Sequence, residues 1–125
     1  MDEFGTALVC MDGRIQRKVN DYLSTTFGVR NTDTITTAGL VRHVAEDTGQ
    51  TRALLDNVEI SVATHGSRNI AVVAHHDCAG NPVGAKVQKD QVARAVGRLA
   101  DIYPNVNVIG LWVGEHMVIE KVSRT

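Results

Sequence analysis

Cys10, His75 and Cys78 are the residues of this sequence whose side chains are best suited to hold a metal ion together. Two thiolates and an imidazole form a borderline-soft donor set that suits Zn²⁺. His75 and Cys78 stand three residues apart, so one tight turn can aim both at a single ion, with Cys10 supplying a third ligand from elsewhere in the chain. Three protein ligands leave one position open, which separates a catalytic zinc site from a closed structural one. Asp12 and Arg14 follow Cys10 on the same loop. A carboxylate there can accept a hydrogen bond from a zinc-bound water, while the arginine pins it by a charge-assisted pair. Without that arginine, Asp12 is free to swing round and become the fourth ligand. Zinc lowers the pKa of its water towards neutrality, so the implied chemistry is attack of hydroxide on a small electrophilic carbon.

Other readings of the same residues stay open at this level. Free cysteine is among the most buried residue types, so plain burial is the ordinary alternative. Cys78 with His75 or His76 as base would make an activated nucleophile, but that leaves Cys10, Asp12 and Arg14 without a role. A third reading is a closed structural zinc, with Asp12 as permanent fourth ligand in a small binding or regulatory protein. His76, two residues before Cys78, competes with His75 as ligand. Asp77 reads as solvated, and His43, His65 and His116 as surface or hydrogen-bonded residues. The stretch from Gly80 to Lys86 superficially resembles a phosphate-binding loop. Its glycines are one residue too close, Ala85 intervenes before Lys86, and Val87 offers no hydroxyl, so nucleotide binding is not expected. Pro82 is read instead as a turn at the rim of the zinc crevice.

The elements that must carry these residues alternate. Thr6 to Val9 is a short apolar run that reads as a strand ending at Cys10, and Ile15, Val19, Tyr22, Leu23 and Phe27 then recur at helical spacing before Gly28, a C-terminal cap. Asp33 to Thr37 is rich in β-branched residues and reads as a second strand. Residues 40 to 47 have no clear period. Leu54, Leu55, Val58 and Val62 mark another helix, stopped at Gly66 and Ser67. Ile70 to Ala74 is wholly apolar, as expected of a central parallel strand covered on both faces. A further helix runs through Val92, Ala95, Val96 and Leu99 and cannot continue past Pro104. Val106 to Val113 and the segment ending at Val122 then form a terminal antiparallel hairpin. The expected fold is α/β, a mainly parallel sheet of about four strands with helices on its faces and a last antiparallel strand. Both motifs fall just past the carboxyl ends of strands, where ligands collect in open α/β sheets.

The 125 residues carry 13 Lys+Arg against 14 Asp+Glu, a net charge of −1, with 43% hydrophobic and 22% charged residues. One globular domain spanning residues 1–125 is expected, able to bury roughly two-thirds of its unfolded surface without disulfides. No basic run marks a nucleic-acid partner, and no stretch approaches the roughly 20 apolar residues of a membrane span. The acidic N-terminal segment MDEFGTALVC does not read as a signal peptide, so a cytoplasmic location is expected, where a structural disulfide is disfavoured.

At these residues the sequence resembles the β-class carbonic anhydrase family. That family carries Cys-x-Asp-x-Arg after the first strand and His-x-x-Cys after a central one, matched by Cys10, Asp12, Arg14 and by His75, Cys78. Thr36-Thr37-Ala38-Gly39 is similar to its Arg-Asn-Ala-Gly turn, and Asn69 to His75 to its buried strand, so that the likeness runs from about Thr6 to Val113. Met1 to Val9 hold no glutamine, where many members place one to line the substrate pocket, and Ala79 stands where a glycine commonly follows the second cysteine. The resemblance implies reversible hydration of carbon dioxide to bicarbonate by a zinc enzyme. Cys10, His75 and Cys78 would be ligands, Asp12 and Arg14 catalytic residues, and the protein a homodimer or larger homo-oligomer. The alternative is a zinc protein of the same fold that lacks this activity, or one acting on carbonyl sulfide or carbon disulfide.

Overall fold

The structure is a computed structural model that describes residues 3–124; Met1, Asp2 and Thr125 lie outside that range, and with them the first two residues of the acidic N-terminal segment. Strand β1 (Phe4–Cys10) is followed by α1 (Gln16–Phe27), β2 (Asn31–Thr37), α2 (Leu40–Ala45), α3 (Thr51–Glu59), β3 (Asn69–His75), α4 (Ala85–Ile102), β4 (Asn107–Val113) and β5 (Ile119–Arg124). The sheet order is β2-β1-β3-β4-β5. The first four strands are parallel and β5 pairs antiparallel with β4, as the alternation of elements requires.

Strand periodicity divides the core into two layers. Leu8, Ile70, Val72, Ala74 and Val108 point to one face, where they meet Leu40 and Val44 of α2, Leu54 and Val58 of α3, and Val92, Val96 and Leu99 of α4. Ala7, Val9, Ala71, Val73, Ile109 and Leu111 point to the other, against Ile15 and then Val19 and Leu23 of α1. A fully buried Leu or Ile such as Leu8, Leu23 or Ile70 contributes about 1.5–3 kcal/mol by leaving water. Strand β3 is buried from Ile70 to His75, which is why it carries no polar alternation. In β2, by contrast, only Ile35 is buried: it is an edge strand, with Thr34 exposed and Thr36 donating to the Val9 carbonyl at 2.6 Å.

Helix α1 ends where Gly28 adopts φ +64°, a left-handed cap that L side chains resist. The segment without a clear period contains α2, whose six residues are too few to repeat a pattern, though Leu40, Val41, His43 and Val44 are all buried. The expected continuous helix through Val62 is α3 closed by a π turn over Ile60–Thr64. That wider turn buries Ser61, which donates to Asp33 at 2.7 Å and meets Thr6 at 2.6 Å, with His65 Nδ1 2.6 Å from the same Asp33 oxygen. Among the described residues no helix is long and apolar enough to cross a membrane.

Candidate metal centre

Strands β1 and β3 are neighbours in parallel register, Val9 opposite Val73, so Cys10 and His75 emerge at the same edge of the sheet. The chain then turns back. His76 N–H bonds the Val113 carbonyl at 2.9 Å and Asp77 adopts φ +57°, a left-handed conformation that reverses the backbone towards Cys78. The two sulfur atoms come within 3.7 Å, and one donor atom from each of Cys10, His75 and Cys78 lies within 4.8 Å of the others. All three residues are buried.

The histidine is oriented for a ligand. Its Nδ1 lies 2.8 Å from the His76 carbonyl, which can only accept, so Nδ1 carries the proton and Nε2 presents a lone pair. Nε2 is buried and has no partner in the protein. Buried polar atoms are ordinarily paired, and an acceptor left free between two thiols is what a cation-binding imidazole requires. Burial pushes the Cys78 thiol up, and nearby Cys10 adds to the shift, while N–H groups of Asn81 and Gly80 oppose it. Gly39 N–H donates to Cys10 Sγ at 3.4 Å. Two sulfurs and an unpaired imidazole nitrogen fit zinc, which binds thiolate and would displace both protons.

On the loop after Cys10, Asp12 and Arg14 form a two-pronged pair, Nη2 2.6 Å from Oδ2 and Nε 3.1 Å from Oδ1. The backbone N–H of Arg14 adds a bond to Oδ1 at 2.9 Å. The Arg14 side chain, then its backbone N–H, hold the Asp12 carboxyl well below its usual range, at about 2, and Asp12 in turn raises the guanidinium. Arg14 also reaches the second loop, donating to the Asp77 carbonyl at 3.1 Å and to its carboxylate at 3.3 Å. Asp77 is thus largely solvated, as its sequence context suggested, yet it anchors Arg14. No sequence signal announces that contact, because the carbonyl is aimed by a left-handed backbone.

The remaining residues separate from the site. His76 is exposed, its Nε2 3.9 Å from Glu115, and lies outside the donor cluster. His43 bonds Thr48 at 2.6 Å, with burial lowering its pKa, while His65 pairs with Asp33 and His116 is exposed beside Glu115. Gly84 precedes α4 in extended backbone and Pro82 lines a cavity of about 340 Å³ that reaches Cys78, so that loop serves the rim.

The contacts made by two supports of the site were not legible in advance. The Gln16 amide donates to the Cys10 carbonyl at 2.7 Å and the Asp12 carbonyl at 2.8 Å, tying the ends of one loop together. A polar residue at a helix start was the only available hint. Gly39 and Gly80 let two loops touch: a Cβ on Gly80 would lie 2.6 Å from Gly39 N, and Gly39 itself has φ +62°. A wide groove of about 1210 Å³ between α1 and the Met117–Ile119 turn lies beside the cluster rather than at it. A smaller cavity of about 50 Å³ abuts His75.

Several solved structures share the fold. A carbonic anhydrase from Glaciozyma antarctica superposes with TM-score 0.66 at 17% identity, covering 98% of this chain and 82% of the other. Tetrameric β-carbonic anhydrases from Sordaria macrospora give TM-score 0.66 at 14% identity, covering 98% and 82%. A β-carbonic anhydrase of Aspergillus fumigatus gives 0.64 at 12%, covering 98% and 77%. No curated protein sequence matches the chain. The sequence does match, over residues 1–123, the family model described as "Putative carbonic anhydrase". With the fold, the donor cluster and this match in agreement, the chain belongs to that carbonic anhydrase family.

Proposed function

We propose that this protein is a zinc-dependent carbonate dehydratase, which interconverts carbon dioxide plus water with bicarbonate plus a proton. The observation that carries this reading is the buried, unpartnered Nε2 of His75 grouped with Cys10 and Cys78, with Asp12, two residues after Cys10, pinned by Arg14. Cys10, His75 and Cys78 would hold the ion. Zinc so held supplies Lewis acidity and an activated water nucleophile near neutral pH. Asp12, ionised at any ordinary pH, accepts a hydrogen bond and orients the nucleophile rather than storing the proton. Arg14 is a positioning residue: its bonds to both Asp12 oxygens occupy the carboxylate and keep it from the donor cluster. The His76 carbonyl fixes the His75 tautomer.

We place the enzyme in the cytoplasm as a single domain acting on a small dissolved substrate without nucleic acid or membrane. A homodimer or larger homo-oligomer is the assembly to expect, in keeping with the tetrameric neighbours from Sordaria macrospora. The test is stopped-flow carbon dioxide hydration on zinc-quantified protein across pH. Activity proportional to zinc and rising from neutral to alkaline pH is expected. A zinc-replete, inert sample would overturn the catalytic reading in favour of a closed site.

A further inference from the structure

Met117 occupies the turn between β4 and β5 in a left-handed conformation, φ +61°, which a residue with a Cβ seldom adopts. The turn is closed by its own bonds, Met117 N–H to the Gly114 carbonyl at 2.9 Å and Gly114 N–H to the Val118 carbonyl at 3.1 Å. Glycine or asparagine would fit that backbone with less strain. A methionine kept there is an outlier whose side chain is the feature to explain.

That side chain is half-buried and packs against the same apolar cluster as Cys10, Cys78 and Ile15. It also lines two spaces of very different size. One is the open groove of about 1210 Å³ along α1, the other the small cavity of about 50 Å³ bounded by Ile15, His75, Val113 and Gly114. Arg14 and Met117 are the residues common to both linings. Arg14 is tied to Asp12 and to the Asp77 carbonyl. The thioether is unbranched and turns about three bonds, so it is the adaptable half of the partition.

We propose that Met117 is a specificity-determining residue of this site. Its side chain forms the movable wall between groove and cavity and limits what passes from that groove to His75 to molecules of a few atoms, a route separate from the opening at Cys78. A space of about 50 Å³ takes only a few waters, and Ile15, Val113 and Met117 give it an apolar side facing His75, His76, Arg14 and Glu115, which suits a small molecule. The inference rests on the metal-site reading above but not on the reaction assigned to it.

Cobalt(II)-loaded protein titrated with formate and with benzoate tests it, following the visible absorption of the metal. These anions share a carboxylate and differ in bulk. Wild type should respond to formate at much lower concentration than to benzoate. Met117→Ala and Met117→Gly should narrow that ratio by about tenfold or more, whereas Met117→Leu, similar in volume, should keep it. Met117→Gly also relieves the left-handed strain, so it guards against loss of folding. An unchanged ratio in both small variants overturns the proposal. Carbon dioxide hydration on the same samples separates the two readings. Wild type that selects by size but hydrates nothing refutes the catalytic reading and leaves this wall in place. Wild type that hydrates, with selection unaltered in the variants, refutes the wall alone.

Discussion

The guanidinium of Arg14 binds Asp12 through both carboxylate oxygens and, through Nη2 again, reaches the carbonyl of Asp77 on a loop 63 residues away. One side chain therefore joins the loop carrying Cys10 to the loop carrying Cys78. Arg14→Ala should release Asp12, lowering hydration by roughly 10–100-fold while zinc content persists. Full activity in that variant rules out the positioning role.

The same pair makes an acid-labile contribution to stability. Arg14 lowers the Asp12 pKa from 3.8 to about 2 in the folded protein, so the stabilisation is complete above the unfolded value and fades as pH falls towards the folded one. Urea midpoints of wild type and Arg14→Ala should therefore differ at pH 6 and converge on approach to about pH 2. A gap that widens on acidification contradicts the sign.

Cys10 and Cys78 lie on different elements, so an ion shared between them cross-links the fold. Cys10→Ser or Cys78→Ser should take zinc from about one per chain to well under half and lower the melting temperature together. Wild type stripped by a chelator should melt like either variant. Loss of activity with full zinc retention in the variants speaks against ligation.

Gly39 supplies both a left-handed turn and the N–H that meets Cys10 Sγ. In Gly39→Ala the new methyl falls on the Gly80 carbonyl, so a loss of about 2–4 kcal/mol is expected from strain and overpacking. Zinc affinity should fall as Cys10 shifts. Chemical denaturation with metal titration checks both, and unaltered stability would show that the loops can part freely.

Tyr103 caps the end of α4 and donates to Glu59 at 2.8 Å. Burial, then this bond, raises its pKa from 10.0 to about 12. The neutral phenol is favoured in the fold, so its stabilisation is present below 10.0 and lost as pH rises through about 12. An ultraviolet titration should show a late tyrosine transition that is missing from Tyr103→Phe.

Much of this molecule is legible from local pattern. The wholly apolar Ile70 to Ala74 is the central strand, the recurrence of Ile15, Val19 and Leu23 marks the buried face at α1, and Gly28 ends that helix, because periodicity and backbone preference act within a few residues. The three-residue step from His75 to Cys78 is likewise a local matter. What the linear chain leaves open is pairing. Placing β1 beside β3 brings sulfurs 68 residues apart in sequence to 3.7 Å, and it is packing of α1 and α4 on opposite faces that selects this order. The free Nε2 of His75 and the Asp77 carbonyl that meets Arg14 both depend on backbone held by tertiary contact, the His76 N–H bond to the Val113 carbonyl. Short-range chemistry chooses the residues and elements, whereas burial of two apolar sheet faces decides which of those residues meet.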